Sequence, residues 1–222
     1  MAEAATSVVI PVLNDGRSLC RLLDDLRGSG FEIVVVDGGS DDDSMAVAGR
    51  VGRVVSSPRG RGAQMDAGAR IAGGDWLWFL HADTRAPVAA VRELVERRRE
   101  PAWGFFAVRL DARPWPYRMI ERTMSWRSSA SGIATGDQGI FVHRQLLDAV
   151  GGVPRQPLLE DVELCRRLRR LAKPVLISVP LVTSARRWER HGIARTIVVM
   201  WWLRFRYFMG ADPKALARHY YG

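Results

Sequence analysis

Apolar positions in the first 84 residues fall into short unbroken runs, separated by stretches where they recur every three or four residues. Ser7–Val12 (SVVIPV) and Phe31–Asp37 (FEIVVVD) are β-branched runs, the second without any polar alternation, which predicts strands and, for the second, burial on both faces. Between them Leu19, Leu22, Leu23 and Leu26 repeat at helical spacing, with Asn14 and Asp15 as N-cap candidates and Gly28-Ser29-Gly30 as the stop. Gly38–Ser44 (GGSDDDS) turns into a short second helix, Arg53–Ser57 (RVVSS) predicts a third strand, Gly60–Ala72 (GRGAQMDAGARIA) a third helix, and Gly74–Thr84 (GDWLWFLHADT) a fourth strand. Strands alternating with helices across short loops predict an α/β fold: three layers, with helices on both faces of a mainly parallel sheet.

The second half is less regular. Trp103–Asp111 alternates enough for an edge or antiparallel strand, and 116–131 (PYRMIERTMSWRSSAS) has a helical pattern. Gly139–Arg144 (GIFVHR) predicts another strand, and 174–180 (PVLISVP) the last. Between these two, Leu158, Val162, Cys165 and Leu168 form one stripe of an amphipathic helix. The C-terminal GIARTIVVMWWLRFRYFMG is helical and aromatic-rich, interrupted by Arg195, Arg204 and Arg206. Its apolar core is far shorter than the roughly 20 residues a membrane span requires. Two readings stay open: a helix of the core, or one lying on a membrane surface with arginines among headgroups.

The fourth strand raises a question of chemistry. Trp76–Leu80 is wholly apolar, yet it runs into His81, Ala82 and Asp83. In parallel sheets ligands sit beyond the carboxyl ends of the strands. Asp37, the Pro58–Gly62 loop and His81–Asp83 all follow strand ends, so they should line one crevice. Carboxylates there need cations or hydrogen-bond donors. Mg²⁺ or Mn²⁺ commonly joins one or two carboxylates to phosphate oxygens, which makes Asp83 the candidate metal ligand. His81, on the same side of an extended segment, is either a further ligand or a donor to phosphate.

Several sites are excluded. The first strand is not followed by G-x-G-x-x-G, no lysine follows a glycine loop as in a P-loop, and no Cys/His cluster has zinc spacing. With 222 residues, 47% apolar, the chain predicts one domain with a full core. Its formal charge of +9 is carried almost wholly by arginine, Lys173 and Lys214 being the only lysines. Arginine suits phosphate, although biased coding composition and solvated helix faces account for most of the excess. Arg97-Arg98-Arg99, Arg166-Arg167 and Arg169-Arg170 would serve a non-catalytic nucleic-acid or membrane-binding module, but they fall on polar helix faces. No nucleic-acid partner is therefore expected. Cys20 and Cys165 read as buried thiols in a reducing compartment. No basic region precedes Val8–Ile10, so the expectation is a cytoplasmic protein, with a peripheral place at the inner membrane face open.

VVIPVLND, IVVVDGGSDDDS, GRGAQMDAGA, GDWLWFLHADT, GDQGIFV and LLEDVEL, in this order, resemble a family-2 glycosyltransferase of the GT-A fold, over about Ser7 to Trp188. The chain is similar in particular to a small bacterial subgroup associated with radical-SAM or arsenosugar-type gene clusters. The resemblance implies one domain over 1–222, with a nucleotide-binding half at 7–84, an acceptor half at 85–188 and a C-terminal helical segment at 189–222. It implies a nucleotide-sugar donor, UDP- or GDP-linked, a hydroxyl acceptor and a Mg²⁺ or Mn²⁺ cofactor; a homodimer stays open. Pro11 and Asn14 match the turn that touches the nucleotide, and Asp37 the residue that binds its base. Gly38 stands where a second acidic residue is common. Arg61 and Gln64 would face the nucleotide, and His81-Ala82-Asp83 aligns on the Asp-x-Asp metal motif with its first aspartate absent. Glu160-Asp161 matches the acidic pair, with Asp161 the catalytic base and Glu160 its neighbour towards the acceptor. Asp137 and Gln138 occupy the acceptor region, as does Trp188 of ARRW, which is similar to Gln-x-x-Arg-Trp with Ser184 in place of glutamine. His191 would reach the metal or diphosphate when a C-terminal loop closes. A carboxylate on the first turn of a helix can take the acceptor's proton, and displacement in one step with one base inverts the anomeric centre. A nucleotidyltransferase on the same fold is the alternative; it would need a glycine-rich basic turn after the first strand, where Leu13-Asn14-Asp15 stands.

Overall fold

The computed structural model describes residues 5–50, 53–97 and 100–221, so Arg98 and Arg99 lie outside the described residues. The first half alternates as the pattern predicts: β1 (Thr6–Val12), α1 (Gly16–Leu26), β2 (Glu32–Asp37), α2 (Ser44–Ala48), β3 (Arg53–Ser56), α3 (Arg61–Ile71) and β4 (Trp76–Phe79). These four strands are parallel, with β1 between β2 and β4 and β3 beyond β2. Their carboxyl ends therefore share one edge.

The second half corrects the expectation of a mainly parallel sheet. It continues through β5 (Thr84–Arg85), α4 (Val88–Arg97), β6 (Trp103–Leu110), α5 (Trp115–Ser131), a 3-10 turn (Gly136–Gln138) and β7 (Phe141–His143). Then come α6 (Arg144–Ala149), α7 (Glu160–Leu168), β8 (Val175–Thr183), α8 (Arg186–His191), α9 (Ile193–Phe208) and α10 (Pro213–Tyr221). The eight-stranded order is β3-β2-β1-β4-β7-β6-β8-β5, and the sheet is mixed. β7 runs antiparallel to both β4 and β6, β5 antiparallel to β8, and β6 parallel to β8. Hence β6 is an interior strand rather than an edge. A run of apolar residues encodes burial on two faces but not chain direction, so the reversal at β7 is invisible in the pattern.

Pleating explains the tryptophan run. Trp76, Trp78 and Leu80 join one core layer while Leu77 and Phe79 join the other. Trp78 lies 5.5 Å from Phe106, which lies 5.8 Å from Phe141, so the aromatic cluster is buried beneath the sheet's centre. Gly104 pairs with both β7 and β8, and a Cβ there would strike the Val175 carbonyl oxygen and press on the Phe141 ring. Backbone is the obstacle, so Gly104→Ala should destabilise by about 3 kcal/mol, read as a Tm lower by roughly 6–12 °C. An unchanged Tm would contradict this packing.

Neither N-cap candidate caps α1 through its side chain. Instead the Asp42 carboxylate accepts from Gly16 N at 3.1 Å, and Ser44 Oγ accepts from Asp15 N at 3.2 Å. At the C-terminus one side of α9 joins the core and the other is exposed. Leu203 packs with Leu158, Leu159 and Val162 around the start of α7, and with Leu216 and Ala217 of α10. Its other side exposes Val198, Trp201, Phe205 and Phe208. Among the described residues no helix is long and apolar enough to cross a membrane.

Candidate functional site

The crevice at the carboxyl ends of β1, β2 and β4 is built by turns that tie one another down. Asn14 has φ 52°, and its Oδ1 accepts from Asp41 N at 2.9 Å while its own N–H donates to Ser40 Oγ. The buried Asp37 carboxylate accepts from Gly39 N and Ser40 N, at 2.9 and 3.1 Å, fixing the loop after β2. Gln64 is buried, and its amide donates to the carbonyls of Val12 and Val36, both at 2.8 Å. It holds the ends of β1 and β2 together, and its donors point into the fold rather than at a nucleotide. A Cβ on Gly38 would sit 3.0 Å from Nε2 of that amide, tighter than ordinary contact, so a side chain there would require Gln64 to shift.

His81–Asp83 is a turn, closed by Thr84 N donating to His81 O at 3.1 Å, not the extended segment the pattern suggested. Side-chain alternation therefore does not relate His81 to Asp83. His81 turns its Nδ1 to Asp137 Oδ1 at 3.2 Å, and a Cβ on Gly136 would collide with its Nε2 edge. Both ring nitrogens thus face the 136–137 turn, and Pro11 lines the small space beneath it with Gly136. Burial pushes the Asp137 carboxyl up, but His81, Arg187 and Arg61 more than offset that and leave it well below the ordinary range. Asp83 is pushed the other way: burial and the Asp137 carboxylate raise it, against weaker help from His81 and Arg186.

Arg186 Nη2 lies 2.6 Å from Asp15 Oδ2 and 3.7 Å from Asp83 Oδ2, so this guanidinium pairs with both carboxylates, more closely with Asp15. An acidic oxygen raised by buried, negative surroundings suits a hard divalent cation that also takes phosphate oxygens. Asp83 fits Mg²⁺ or Mn²⁺ as one carboxylate of a shared site. Among the described residues no three His, Cys, Asp or Glu side chains form a set that could hold a metal unaided. His191 is exposed at the end of α8 and does not join Asp83 and His81 in such a set.

The acidic pair opens α7. Leu159, with φ 60°, turns the chain so that Glu160 and Asp161 enter the crevice; with Asn14 it is one of two non-glycine residues of positive φ among those described. Asp161 is buried, its Oδ2 accepting from Gly136 N and its Oδ1 from Val162 N, both at 2.7 Å. Gly62 lets the start of α3 approach, since a Cβ there would strike the Pro154 carbonyl. That approach brings Arg61 Nε to 2.9 Å from Glu160 Oε1. The contact is electrostatic without aligned hydrogen bonds: neither buried Glu160 oxygen has a hydrogen-bond partner. Burial raises the Glu160 carboxyl even so, while Glu160 raises Arg61. Gln138 is not free for an acceptor: its amide accepts from Ser128 Oγ at 2.6 Å and donates to Phe106 O at 3.2 Å.

Residues the pattern did not single out surround this cluster. Arg127 of α5 and Arg187 of α8 line a groove of about 320 Å³ with Asp137, Trp188 and Arg204. Arg204 carried a signal only as a charge interrupting an apolar helix. Arg166 and Arg167, candidates for phosphate contact, instead pair with Glu163 at 2.8 and 2.9 Å.

Comparison with known proteins identifies relatives of this arrangement. The family described as Glycosyl transferase family 2 matches residues 7–142. The chain is 31% identical over 176 residues to an undecaprenyl-phosphate 4-deoxy-4-formamido-L-arabinose transferase of Pseudomonas paraeruginosa, covering 65% of this chain and 48% of that one. An uncharacterized glycosyltransferase of Mycobacterium tuberculosis is 34% identical over 139 residues, 57% of this chain and 61% of its own. The chain thus spans about half to three fifths of these relatives. Among solved structures, a Pyrobaculum calidifontis mannosyltransferase in complex with GDP-Man and Mn²⁺ superposes with TM-score 0.61 at 20% identity, over 81% of this chain and 56% of that one. Glucosyl-3-phosphoglycerate synthase from M. tuberculosis, with Mg²⁺ and UDP, gives 0.60 at 20% identity, over 82% and 71%. These likenesses establish a GT-A-like fold.

Proposed function

The chain belongs to glycosyl transferase family 2, and on that premise we propose that it moves a sugar from a nucleoside diphosphate donor, UDP- or GDP-linked, to an acceptor hydroxyl. One observation carries the reading: Asp161, fixed by the Gly136 amide, and Asp137, in the same turn, both act on Arg61, while His81 contacts Asp137 and acts on Asp83 beyond the end of β4. A base, a charge-bearing carboxylate and a polar turn within one crevice are what the transfer needs.

Asp37 and the turn around Asn14 hold the nucleoside. Asp83 is the residue that would hold Mg²⁺ or Mn²⁺, and such an ion would supply positive charge against the charge that builds on the leaving group. Arg186 and Arg187 add positive charge at the same edge. Asp161 takes the acceptor's proton as its oxygen attacks. With one base and one displacement, the anomeric centre inverts.

Thermal-shift measurements with a panel of nucleotide sugars test this. UDP or GDP compounds should raise the Tm in the presence of Mn²⁺ and much less in EDTA, because only the folded state binds them. Stabilisation equal in both conditions removes the metal from the proposal, and none with any donor removes the transfer.

A further inference from the structure

The groove between α5 and α9 has two properties that sugar transfer alone does not require. First, it concentrates positive charge that is incompletely paired among the described residues. Arg204 has its Nε and Nη2 buried and unpaired, while Arg127 donates from Nη2 to Ser128 Oγ at 3.1 Å. Burial and repulsion from Arg204 push Arg127 down to about 10, and burial lowers Arg204 as well. Asp161 and Asp137 partly offset this, yet orphaned guanidinium N–H groups in a low dielectric are costly until an anion accepts from them. Second, the walls are apolar. Trp115, Met119, Met124, Met200 and Trp201 line the groove, and Trp115, Met119 and Trp201 are more than half exposed, at 71%, 57% and 62%. Val198, Phe205 and Phe208 expose further apolar surface on α9, more than an unpartnered soluble face usually shows.

We propose that this groove binds a lipid with phosphate in its headgroup: Arg127 and Arg204 take the phosphate, and the tryptophan–methionine walls take the start of the chain. The inference rests on the transfer reading, for which it supplies the acceptor class, since Asp137 belongs both to the groove wall and to the catalytic cluster. A headgroup hydroxyl would lie on the Asp137–Asp161 side. A water-soluble phosphate would leave the aromatic walls uncovered, and an apolar protein helix would leave the arginines unpaired. The lipid satisfies both. The exposed face of α9 then rests on the bilayer from which the chain rises.

Quenching of the groove's own tryptophans gives the test. Soluble dihexanoyl phosphatidylglycerol is titrated against dihexanoylglycerol, which lacks the phosphate, and glycerol 3-phosphate, which lacks the chains. The phospholipid should bind at least about tenfold more tightly than either control. Arg204→Gln should remove most of that preference, and Arg204→Lys should restore part of it. Because Arg204 is largely enclosed, Met119→Glu at the exposed mouth is the second variant; it should fold, by circular dichroism, and lose phospholipid binding. Equal binding of the neutral diglyceride, unaffected by Arg204→Gln, overturns the proposal. So does glycerol 3-phosphate binding as tightly as the phospholipid. Donor-induced stabilisation without phospholipid binding sinks this inference alone, whereas phospholipid binding without any donor response sinks the transfer reading alone.

Discussion

Asp161→Asn is expected to lower turnover by about 10²–10⁴-fold while leaving donor affinity close to that of the natural chain. The asparagine fills the same volume and can still accept one of the two N–H groups, from Gly136 or Val162, that now hold the carboxylate. Losing the other buried hydrogen bond costs about 1–3 kcal/mol of stability, not the fold. What asparagine lacks is a proton-accepting oxygen directed at the acceptor. The effect should therefore fall on kcat, and the donor-induced thermal shift should persist. A variant turning over within tenfold of the natural chain would falsify the assignment of Asp161 as base and turn attention to Glu160, whose oxygens accept no hydrogen bond although Arg61 stands beside them.

The second large effect is expected at Asp83. Its carboxyl is raised by burial and by Asp137, and its ion pair with Arg186 is long at 3.7 Å, a contact that a divalent ion could replace. Asp83→Ala should abolish the Mn²⁺-dependent part of donor stabilisation and reduce turnover by about 10²–10³-fold, as removal of one charge-stabilising group does in other sites. It should not unfold the protein: Asp83 is part-exposed, and the Thr84–His81 backbone bond closes its turn without the side chain. If Mn²⁺ stabilises the Asp83→Ala chain with donor as strongly as the natural one, the metal lies elsewhere.

Much of the fold was legible because side-chain period is local. Leu19, Leu22, Leu23 and Leu26 mark a helix, and all four are buried as the stripe requires. The unbroken run Trp76–Phe79 marks a strand with two buried faces. The acidic pair at Glu160 and the polar break at His81 were also legible, as charges where an apolar element begins or ends. Arg204 was visible only as an interruption, since nothing local distinguishes a charge that snorkels from one held inside. Gln64 and Gln138 read as site residues, yet their amides bind backbone carbonyls and a serine within the fold. Residue type gave no warning, because an amide can serve a ligand or a strand end equally well.

The amino-acid order alone determined the alternating helices and strands from β1 to β4, which faces they bury, and that carboxylates stand at the strand ends and the α7 start, because each follows from the residue's neighbours along the chain. Tertiary structure alone decided the reversed direction of β7, the meeting of His81 with Asp137, the reach of Arg61 to Glu160 past Gly62, and the enclosure of Arg204. Those contacts join residues far apart in sequence. They depend on close backbone approach at Gly62 and Gly136 and on which buried charge finds a partner, quantities that no local hydrophobic period encodes.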